Sequence, residues 1–439
     1  MKILVIGSGA REHALVQALS RSPKKVEIIC FAAGINPGIA QLASKISVGK
    51  IADPESVCSF AAAAAVELAI IGPENPLAMG VADRLWDMGV KVVGPKKSLA
   101  KIETSKTFAR NLLTDYGIGA CPEFRAFTSL DGAAAFLEEL DENYVIKYDG
   151  LAGGKGVKVA GDHLGNHDEA LVYCEDLIKA GGKFVIEEKL LGQEFSLMSF
   201  CDGDHLSHMP VVQDHKRAYT GDLGPNTGGM GTYSDANHLL PFLTADLVRQ
   251  AQKINESTAR ALKDKCGEGY KGILYGGFMA TASGIKLIEY NARFGDPEAM
   301  NILPLLESDF VEICQAITDG GLQNISISFK KMAAVCKYAV PEGYPDNPLK
   351  GRKIDVSQVK DHENLFYSSV DIKAGVLLEA GSRTVAVVGI ADTLEKAEKI
   401  AEKEISAVRG PLFHRPDIGT KVLINKRIEH MLSLRNLSS

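Results

Sequence analysis

Short apolar runs alternate with helix-patterned segments through the first hundred residues of this chain. Arg11–Ser20 and Pro76–Asp87 carry apolar residues at helical spacing. The other runs have the length and composition of buried strands, and each ends in glycine, proline or small residues: Ile3–Ile6, Val26–Phe31, Leu68–Ile71 and Val90–Val93. Strand–helix alternation of this kind predicts a doubly wound α/β region, with a parallel sheet covered by helices on both faces.

The pattern of predicted strands, helices and loops changes twice in the rest of the chain. From about residue 120, strand-like runs are joined by glycine-rich loops with helices between them, which predicts an α+β region. After about residue 325, strand-like runs precede an amphipathic helix with a shared apolar face formed by Leu394, Ala397, Ala401, Ile405 and Val408. A chain of 439 residues has room for roughly two to four domains of ordinary size.

The composition excludes several classes of protein. With 46% hydrophobic and 24% charged residues, the chain is globular rather than disordered. Its 55 acidic residues outnumber 49 basic ones, giving a net charge of −6, so nucleic acid is not an expected partner. The longest apolar stretches are far shorter than the ~20 residues of a membrane helix, so we expect no membrane association either. The eight cysteines are scattered without zinc-ligand spacing, and no secretory signal pattern precedes the first strand, so we expect a cytoplasmic protein.

The first candidate ligand site is the turn Gly7–Glu12, which follows a predicted strand and opens a helix. Backbone amides at a helix N-terminus bind phosphate, and Arg11 could add a bidentate contact. Glu12 stands where a dinucleotide fingerprint requires its third glycine, and Phe31–Ala33 supplies no carboxylate, so a nicotinamide cofactor is disfavoured. Glu74 follows the third predicted strand at the same sheet edge, where it could bind sugar hydroxyls or only cap the next helix. A tight turn with nothing bound is an equal alternative for Gly7–Glu12.

A glycine-rich loop between two strand-like segments is the second candidate site. Within residues 144–157, Lys155 is followed by glycine rather than serine or threonine, and then by a strand, so the loop is not a Walker loop. A strand–loop–strand lid can instead lay backbone amides on a triphosphate while Lys147 and Lys155 neutralise its charge. Downstream, backbone groups around Glu188–Leu190 could bind an adenine edge, and Glu194 could bind ribose hydroxyls. A purely structural loop is the weaker alternative.

The third candidate site is a strand that ends in polar residues. Alternation along residues 286–293 places Glu289, Asn291 and Arg293 on one face. The carboxylate and amide oxygens suit a hard cation, and the guanidinium suits developing phosphoryl charge. An ordinary half-exposed strand is the alternative interpretation.

Two polar, glycine-rich segments, Gln213–Arg217 and Gly224–Gly231, are predicted to be long loops. Loops of this composition inside a compact region usually bind a ligand or are disordered. Within the first of them, His215 could act as a base, but a histidine beside two cations is more often a phosphate contact.

Together these motifs resemble the ATP-grasp superfamily and, within it, the glycinamide ribonucleotide synthetases (phosphoribosylamine–glycine ligases). Their order and joint presence carry the resemblance, which spans the chain almost end to end. The matching runs are GSGAREHAL at 7–15, GPENPL at 72–77, ETSK at 103–106, IKYDGLAGGKGV at 146–157, QDHKR at 213–217, GPNTGGMG at 224–231 and IEYNARFGDPE at 288–298.

The resemblance implies an ATP-dependent carbon–nitrogen ligase of purine synthesis. ATP, glycine and 5-phosphoribosylamine would give glycinamide ribonucleotide, ADP and phosphate through glycyl phosphate, with Mg²⁺ or Mn²⁺ as the metal. The implied fold is α/β, with α+β in the core. It comprises a doubly wound N-terminal domain (1–103), an ATP-grasp core (104–122 and 192–325) interrupted by a lid (123–191), and a small C-terminal α+β domain (326–439).

Carried over residue by residue, the resemblance assigns four sets of groups. ATP would bind Lys106, Lys147, Gly153, Gly154, Lys155, Gly156, Glu187, Glu188, Leu190 and Glu194. The two small substrates would bind Gly9, Arg11, Glu12, Glu74, Asp214, Lys216, Asn226, Thr227, Gly228, Gly229, Met230 and Arg293. The metal would bind Glu289 and Asn291. The catalytic groups would be Arg293 and Lys147, with Asp214 and His215 as candidates for a base.

One departure from many ATP-grasp enzymes concerns the metal. Those enzymes carry a further acidic ligand on the neighbouring strand, where Tyr275–Met279 offers none, so the metal would depend on phosphate oxygens and water.

Two other functions stay open at this point: another ATP-grasp ligase or carboxylase that acts on a different acid, and a nucleotide-binding module without turnover. The second leaves the alignment of Glu289, Asn291 and Arg293 unexplained. For partners we expect small molecules and a monomer, with transient contact with the preceding pathway enzyme left open.

Overall fold

The computed structural model describes residues 1–153 and 156–437. Its first region is a parallel sheet with helical connections. Its elements are β1 (Lys2–Ile6), α1 (Ala10–Ser20), β2 (Glu27–Ala32), α2 (Pro37–Leu42), β3 (Lys45–Val48), α3 (Pro54–Ala63), β4 (Leu68–Ile71), α4 (Glu74–Ala78), α5 (Val81–Asp87), β5 (Lys91–Val93) and α6 (Lys97–Thr104). The strands lie in the order β3-β2-β1-β4-β5, and each pairing is parallel. Ile3–Ile6 are fully buried, as the uninterrupted apolar run predicts for a strand covered on both faces.

The strand order of this sheet reverses between β1 and β4, which opens a crevice at the carboxyl ends of these two strands. The turn Gly7–Glu12 and the residue Glu74 both follow strands that end at this crevice. The predicted helix Pro76–Asp87 is wrong in one respect, because Gly80 adopts a left-handed conformation (φ +81°) that separates α4 from α5. The edge strand β3 was not predicted from the sequence, since it has two apolar residues that alternate with polar ones.

A second sheet has an apolar core of its own. It follows α7 (Lys106–Asp115) and comprises β6 (Phe124–Phe127), α8 (Ala133–Leu140), β7 (Tyr144–Tyr148), β8 (Val157–Val159), α9 (His167–Lys179) and β9 (Phe184–Glu188). The strands lie in the order β6-β9-β7-β8, and each pairing is antiparallel. Phe136, Ile146 and Phe184 belong to an apolar cluster that is separate from the cluster of the neighbouring sheets. We call residues 123–191 the lid.

The central sheet carries the strand on which the metal site is predicted. The elements of this part of the chain are β10 (Gln193–Asp202), β11 (Leu206–His208), β12 (Gln213–Asp214), β13 (Arg217–Tyr219), β14 (Leu223–Asn226), β15 (Gly231–Ser234), α10 (Ala245–Cys266), β16 (Lys271–Thr281), β17 (Gly284–Asn291), α11 (Glu298–Ile302) and α12 (Phe310–Asp319), with 3₁₀ turns at Leu303–Leu305 and Leu322–Asn324. The central sheet has the order β11-β10-β16-β17. Its long neighbour α10 is capped at its N-terminus by Thr244, whose side chain accepts a hydrogen bond from the Leu247 amide.

The last sheet combines C-terminal strands with two strands from the middle of the chain. The C-terminal elements are β18 (Ala333–Pro341), β19 (Leu365–Tyr367), β20 (Val370–Lys373), β21 (Val376–Glu379), β22 (Val385–Ala391), α13 (Leu394–Ile405), β23 (Leu412–Phe413) and α14 (Lys421–Leu437). The sheet order is β12-β15-β18-β22-β19, and β23 pairs with β18.

The prediction of long loops for Gln213–Arg217 and Gly224–Gly231 is therefore wrong in part. β12 and β15 join the C-terminal sheet, and β13 pairs with β14 as a hairpin. These pairings satisfy backbone groups that a polar, glycine-rich loop would leave to water. Among the described residues, no helix combines the length and the apolar character that crossing a membrane requires.

Candidate active site

The predicted site residues meet at one cleft between the lid, the central sheet and the crevice of the N-terminal sheet. Its volume is about 750 Å³, which is typical of a small-molecule site. The predicted residues that line it are Arg11, Glu74, Lys106, Lys147, Gly153, Glu187, Glu188, Leu190, Glu194, Asp214, His215, Lys216, Asn226, Thr227, Gly228, Glu289, Asn291 and Arg293. The predicted residues that are described but do not line it are Gly9, Glu12, Gly156, Gly229 and Met230. Gly154 and Lys155 lie outside the described residues.

Strand β17 brings Glu289 and Asn291 to the cleft. Gly277 pairs with Glu289 and Phe278 pairs with Leu287, which leaves Ile288 as the extra residue of a β-bulge. Burial alone would raise the pKa of the Glu289 carboxyl. The positive charges of Lys216, Lys106 and other nearby cations outweigh burial and hold this pKa below its ordinary value.

The side chains of Glu289 and Asn291 suit a hard divalent cation. Each offers oxygen, and neither makes a hydrogen bond or an ion pair with the described part of the protein. Within that same part, no group of three His, Cys, Asp or Glu side chains converges as a metal site. A cation held by this pair would therefore take its other ligands from a bound phosphate or from water, as Mg²⁺ commonly does.

A buried ionic cluster lies where the lid meets the central sheet. Glu187 of β9 accepts hydrogen bonds from Arg110 of α7, at 2.7 Å from Nε and 2.9 Å from Nη2. The same carboxylate lies 2.6 Å from Lys147 Nζ on β7. Arg110 Nη2 and Lys147 Nζ also donate to the Ile288 carbonyl oxygen, at 2.7 and 3.1 Å. Burial would raise the pKa of Glu187, but the two cations outweigh it and lower this pKa to about 2.

Arg110 was not predicted from the sequence. Its signal is its position one helical turn after Lys106 on α7, because residues four apart share a helix face. Glu187 was predicted to hold a nucleoside. Its carboxylate is bonded to Arg110 and Lys147, so the structure does not leave that group open to a nucleoside.

The glycine loop of the lid is held against the start of α7. Asp149 accepts hydrogen bonds from the Thr107 amide at 3.2 Å and the Ser105 hydroxyl at 3.3 Å. Lys106 Nζ donates to the Gly150 carbonyl oxygen at 3.0 Å. Lys106 therefore contacts the same loop that is predicted to cover phosphates, and it lines the cleft beside that loop.

Charged side chains from the middle of the chain form another wall of the cleft. Lys216 Nζ lies 3.2 Å from a Glu194 carboxylate oxygen, and this contact raises the pKa of Lys216. Burial raises the pKa of Asp214 well above its ordinary value, and the nearby carboxylate of Glu298 adds to the rise. Glu298 was not predicted, and its carboxylate accepts a hydrogen bond from the Tyr275 hydroxyl at 2.6 Å.

His215 is buried next to Asp214 in a defined tautomer. Its Nδ1 lies 3.2 Å from the Gly231 carbonyl oxygen, so Nδ1 carries the proton and Nε2 is an acceptor. Nε2 is buried and has no hydrogen-bond partner among the described residues. Burial lowers the pKa of His215 to about 3, which makes this side chain a weak base at neutral pH.

A C-terminal arginine closes the end of the cleft beside Thr227 and Gly228. Arg383 Nη1 donates to the carbonyl oxygens of Gly228 at 2.5 Å and Asp296 at 2.9 Å. Its guanidinium stacks over the Tyr338 ring, 4.8 Å from the ring centroid. Arg383 was not predicted from the sequence, because no local pattern connects it with a loop 155 residues earlier.

Arg293 connects the end of β17 with the N-terminal sheet. Its guanidinium lies 2.9 Å from Glu103 and 3.4 Å from Glu74. Burial raises the pKa of Glu103 above its ordinary value, although Arg293 opposes this. Arg293 Nε is the atom that faces Glu74, and it is buried without a well-aligned hydrogen bond within the described ranges.

The turn after β1 uses its acidic residue internally. Glu12 accepts hydrogen bonds from the Gly9 amide and from Arg11 Nε, both at 2.6 Å. Arg11 Nη1 donates to the Phe294 carbonyl oxygen at 3.3 Å, and Arg11 lines the cleft. Glu12, which replaces the third glycine of a dinucleotide fingerprint, therefore stabilises the turn and orients Arg11.

Profiles of one family match the chain in three consecutive parts. Their descriptions are "Phosphoribosylglycinamide synthetase, N domain" for residues 1–103, the ATP-grasp (A) domain of the same synthetase for residues 104–299, and its C domain for residues 334–421.

Two curated proteins named phosphoribosylamine–glycine ligase are similar to the chain over their full length. The protein from Methanosarcina barkeri is 50% identical over 435 residues, which cover 99% of this chain and 100% of that relative. The protein from Methanocaldococcus jannaschii is 49% identical over 445 residues, with the same coverage.

Two solved structures have a similar fold. The crystal structure of phosphoribosylamine–glycine ligase from Thermotoga maritima has a TM-score of 0.79 at 27% identity, and the match covers 95% of this chain and 100% of that one. A biotin carboxylase from Campylobacter jejuni has a TM-score of 0.72 at 14% identity and 98% coverage of both chains. The second likeness concerns the fold alone.

Proposed function

Since the chain belongs to the phosphoribosylglycinamide synthetase family, we propose that its cleft activates glycine on ATP and transfers it to 5-phosphoribosylamine. The chain is accordingly an ATP-dependent ligase of purine synthesis. One observation carries the assignment of the cleft. The side chains of Glu289 and Asn291, which make no hydrogen bond or ion pair with the described residues, share it with Lys106, Lys147 and Arg293.

The nucleotide would lie between the lid and the central sheet. Lys106, Lys147 and the loop 150–156 would contact its phosphates. Backbone groups around Glu188–Leu190 would contact the adenine, and Glu194 would contact the ribose. The contact between Lys106 and the Gly150 carbonyl supports this placement, because a phosphate oxygen could replace that carbonyl with little movement of the lysine.

Glu289 and Asn291 would hold Mg²⁺ or Mn²⁺. When bound, the cation would neutralise phosphate charge and help to align the triphosphate. The two side chains fit this role because their oxygens are not used in hydrogen bonds within the described residues. Removal of divalent metal with EDTA should stop ADP release, and separate additions of Mg²⁺ and Mn²⁺ would identify the better ion.

The chemistry needs positioning and neutralisation of charge more than an enzyme nucleophile. A glycine carboxylate is a poor acyl donor, so a carboxylate oxygen first takes the γ-phosphoryl group and ADP leaves. Lys147 and Arg293 would stabilise the charge of this transfer. The lid would exclude water, which would otherwise hydrolyse glycyl phosphate. The ribosylamine nitrogen then bonds to the carbonyl carbon and phosphate leaves.

The two small substrates would occupy the side of the cleft away from the lid. Arg11, Glu74, Asp214 and Lys216 would hold phosphoribosylamine, and Glu12 would act through its bonds to Arg11 and the Gly9 amide. Asn226, Thr227 and Gly228, together with Arg293, would contact glycine. Of the two candidate bases, the raised pKa of Asp214 makes it stronger than His215.

The decisive experiment measures ADP production with freshly made phosphoribosylamine. ADP should form when glycine is present, and omission of glycine or of the amine should stop it. In matched reactions, bicarbonate or D-alanine is supplied in place of glycine. ADP release that ignores glycine but depends on one of these acids would reassign the cleft to another ATP-grasp reaction.

We also propose the domain limits 1–103, 104–122 with 192–325, 123–191 and 326–439. The proposal extends to a monomeric enzyme that acts in the cytoplasm and makes transient contact with the enzyme that supplies phosphoribosylamine. Sedimentation velocity, with and without that enzyme, tests the monomeric state and the transient contact.

A further inference from the structure

We propose that Arg110 is a positioning residue that aligns Lys147 with the metal-binding strand, through the Glu187 carboxylate and the Ile288 carbonyl. This inference rests on the proposed function, in which Lys147 contacts ATP phosphates. Arg110 itself belongs to α7, and its Nε and Nη2 are bonded within the protein.

The first step of the argument concerns how Lys147 is held. A lysine ammonium sits on a flexible four-carbon stem and has many rotamers, so bonded partners are needed to hold it in one position. Lys147 has Glu187 at 2.6 Å and the Ile288 carbonyl oxygen at 3.1 Å. Arg110 fixes Glu187 in turn by two parallel hydrogen bonds. Since Arg110 and Glu187 are only 2% exposed, water is poorly placed to substitute for either partner.

The second step concerns the strand that carries the metal ligands. Ile288 is the bulged residue of β17 and immediately precedes Glu289. Its carbonyl oxygen receives hydrogen bonds from both Arg110 and Lys147. Arg110 and Lys147 therefore meet at the Ile288 carbonyl oxygen, which ties the lysine of the lid to the strand that carries Glu289.

The third step concerns the choice of side chain. Arg110 serves two acceptors on different strands with one planar guanidinium, which binds a carboxylate in a fork and reaches a carbonyl with the same nitrogen. A lysine at this position would keep the charge but has a single nitrogen. We therefore expect Arg110→Lys to keep part of the wild-type affinity for ATP and Arg110→Met to lose all of the contribution that Arg110 makes.

The test compares Arg110→Met, Arg110→Lys, Lys147→Met and the double variant Arg110→Met/Lys147→Met. Arg110→Met should raise the KM for ATP by about tenfold and leave the KM for glycine within about twofold. Calorimetric titration with a non-hydrolysable ATP analogue should show the same loss. Because Arg110 acts through Lys147, the double variant should match Lys147→Met within about twofold.

Arg125→Met is the matched control, because Arg125 forms an exposed ion pair with Glu139 in the same lid. It should leave both KM values unchanged. The inference would be overturned if the increases in the KM for ATP of the two single variants multiplied in the double variant. It would also be overturned if Arg110→Met raised the KM values for ATP and glycine equally. If Arg110→Met does not fold, Arg110→Lys decides the same question. A wild-type KM for ATP in Lys147→Met would remove this inference together with the nucleotide assignment of Lys147, whereas the glycine-dependent ADP assay tests the ligase function separately.

Discussion

Glu187 and Glu289 are two acidic residues on either side of the same backbone unit, Ile288. Glu187 is bonded to both cations that donate to the Ile288 carbonyl oxygen, and Glu289 is the next residue in the chain. In both, nearby positive charge outweighs burial and lowers the pKa. The difference lies in hydrogen bonding, because Glu187 is fully bonded within the protein whereas Glu289 has no such bond in the described residues.

This comparison shows that a depressed pKa does not by itself identify a ligand site. A carboxylate surrounded by bonded cations is part of the architecture, since its charge is already neutralised in fixed geometry. A carboxylate near cations but unbonded keeps its oxygens for an incoming group. By this criterion Glu289 should matter for turnover, and Glu187 should matter first for stability.

The largest effect is expected for Glu289→Ala. Loss of the carboxylate proposed to bind the metal should lower kcat by roughly 10³-fold or more. The melting temperature should fall less than in Glu187→Ala, because Glu289 interacts with nearby cations but no protein hydrogen bond is lost. Glu307→Ala removes an exposed carboxylate as the control and should be silent in both measurements. Normal turnover in Glu289→Ala would remove the metal assignment.

The next effect is the stability loss expected for Glu187→Ala. This variant leaves Arg110 and Lys147 buried without their shared partner, which should lower the unfolding free energy by about 3–5 kcal/mol. Urea unfolding measures the change. Glu139→Ala breaks an exposed ion pair in the same lid and should cost less than about 1 kcal/mol. Equal losses in the two variants would contradict the architectural role of Glu187.

A smaller effect is expected in the dependence of stability on pH. The pKa of Glu187 is lowered from 4.5 to about 2, so its ionic contribution is complete above the ordinary value and is lost as the pH falls through the folded one. The difference in unfolding free energy between the wild type and Glu187→Gln should therefore be constant above pH 5 and shrink towards pH 2. Urea titrations at successive pH values measure it, with Glu307→Gln as the control. A difference that does not change with pH would contradict the ionic pairing.

The smallest effect is expected for Arg11→Ala, since one part of Arg11 is bonded to Glu12 and another faces the cleft. The KM for phosphoribosylamine should rise about tenfold through loss of a charged hydrogen bond, and the KM for ATP should stay within about twofold. Steady-state assays with each substrate varied in turn measure the two values. An equal rise in both would move Arg11 out of the sugar-phosphate site.

Local patterns were sufficient for much of the fold. The continuous apolar runs predicted β1, β2, β4 and β5, and the mixed α/β class and the family are confirmed. Period-2 alternation likewise predicted that Glu289 and Asn291 share a strand face, and both line the cleft, whereas Arg293 lies two residues beyond the end of the strand. The roles of the site residues stay predictions.

Long-range contacts account for what was missed. Arg110 acts on a residue 77 positions later, and Arg383 on a loop 155 positions earlier, and no periodic pattern encodes such distances. The bulge at Ile288 depends on register with β16, which the sequence of β17 alone does not contain. The strands β12 and β15 form because β18 is available to pair with β15.

The contacts that join the lid to the central sheet differ in strength from the contact that holds the turn after β8. Where the lid meets the central sheet, Glu187 and Lys147 make buried bonds to Arg110 and Ile288. In the turn after β8, Asp162 forms a half-exposed ion pair with Arg217. Separation in water costs less than separation of buried charges. The contacts of this turn should therefore separate at lower cost than the buried contacts around Ile288, and Asp162 lines the cleft, so a nucleotide could enter beside the turn while the strand that carries Glu289 and Asn291 keeps its place.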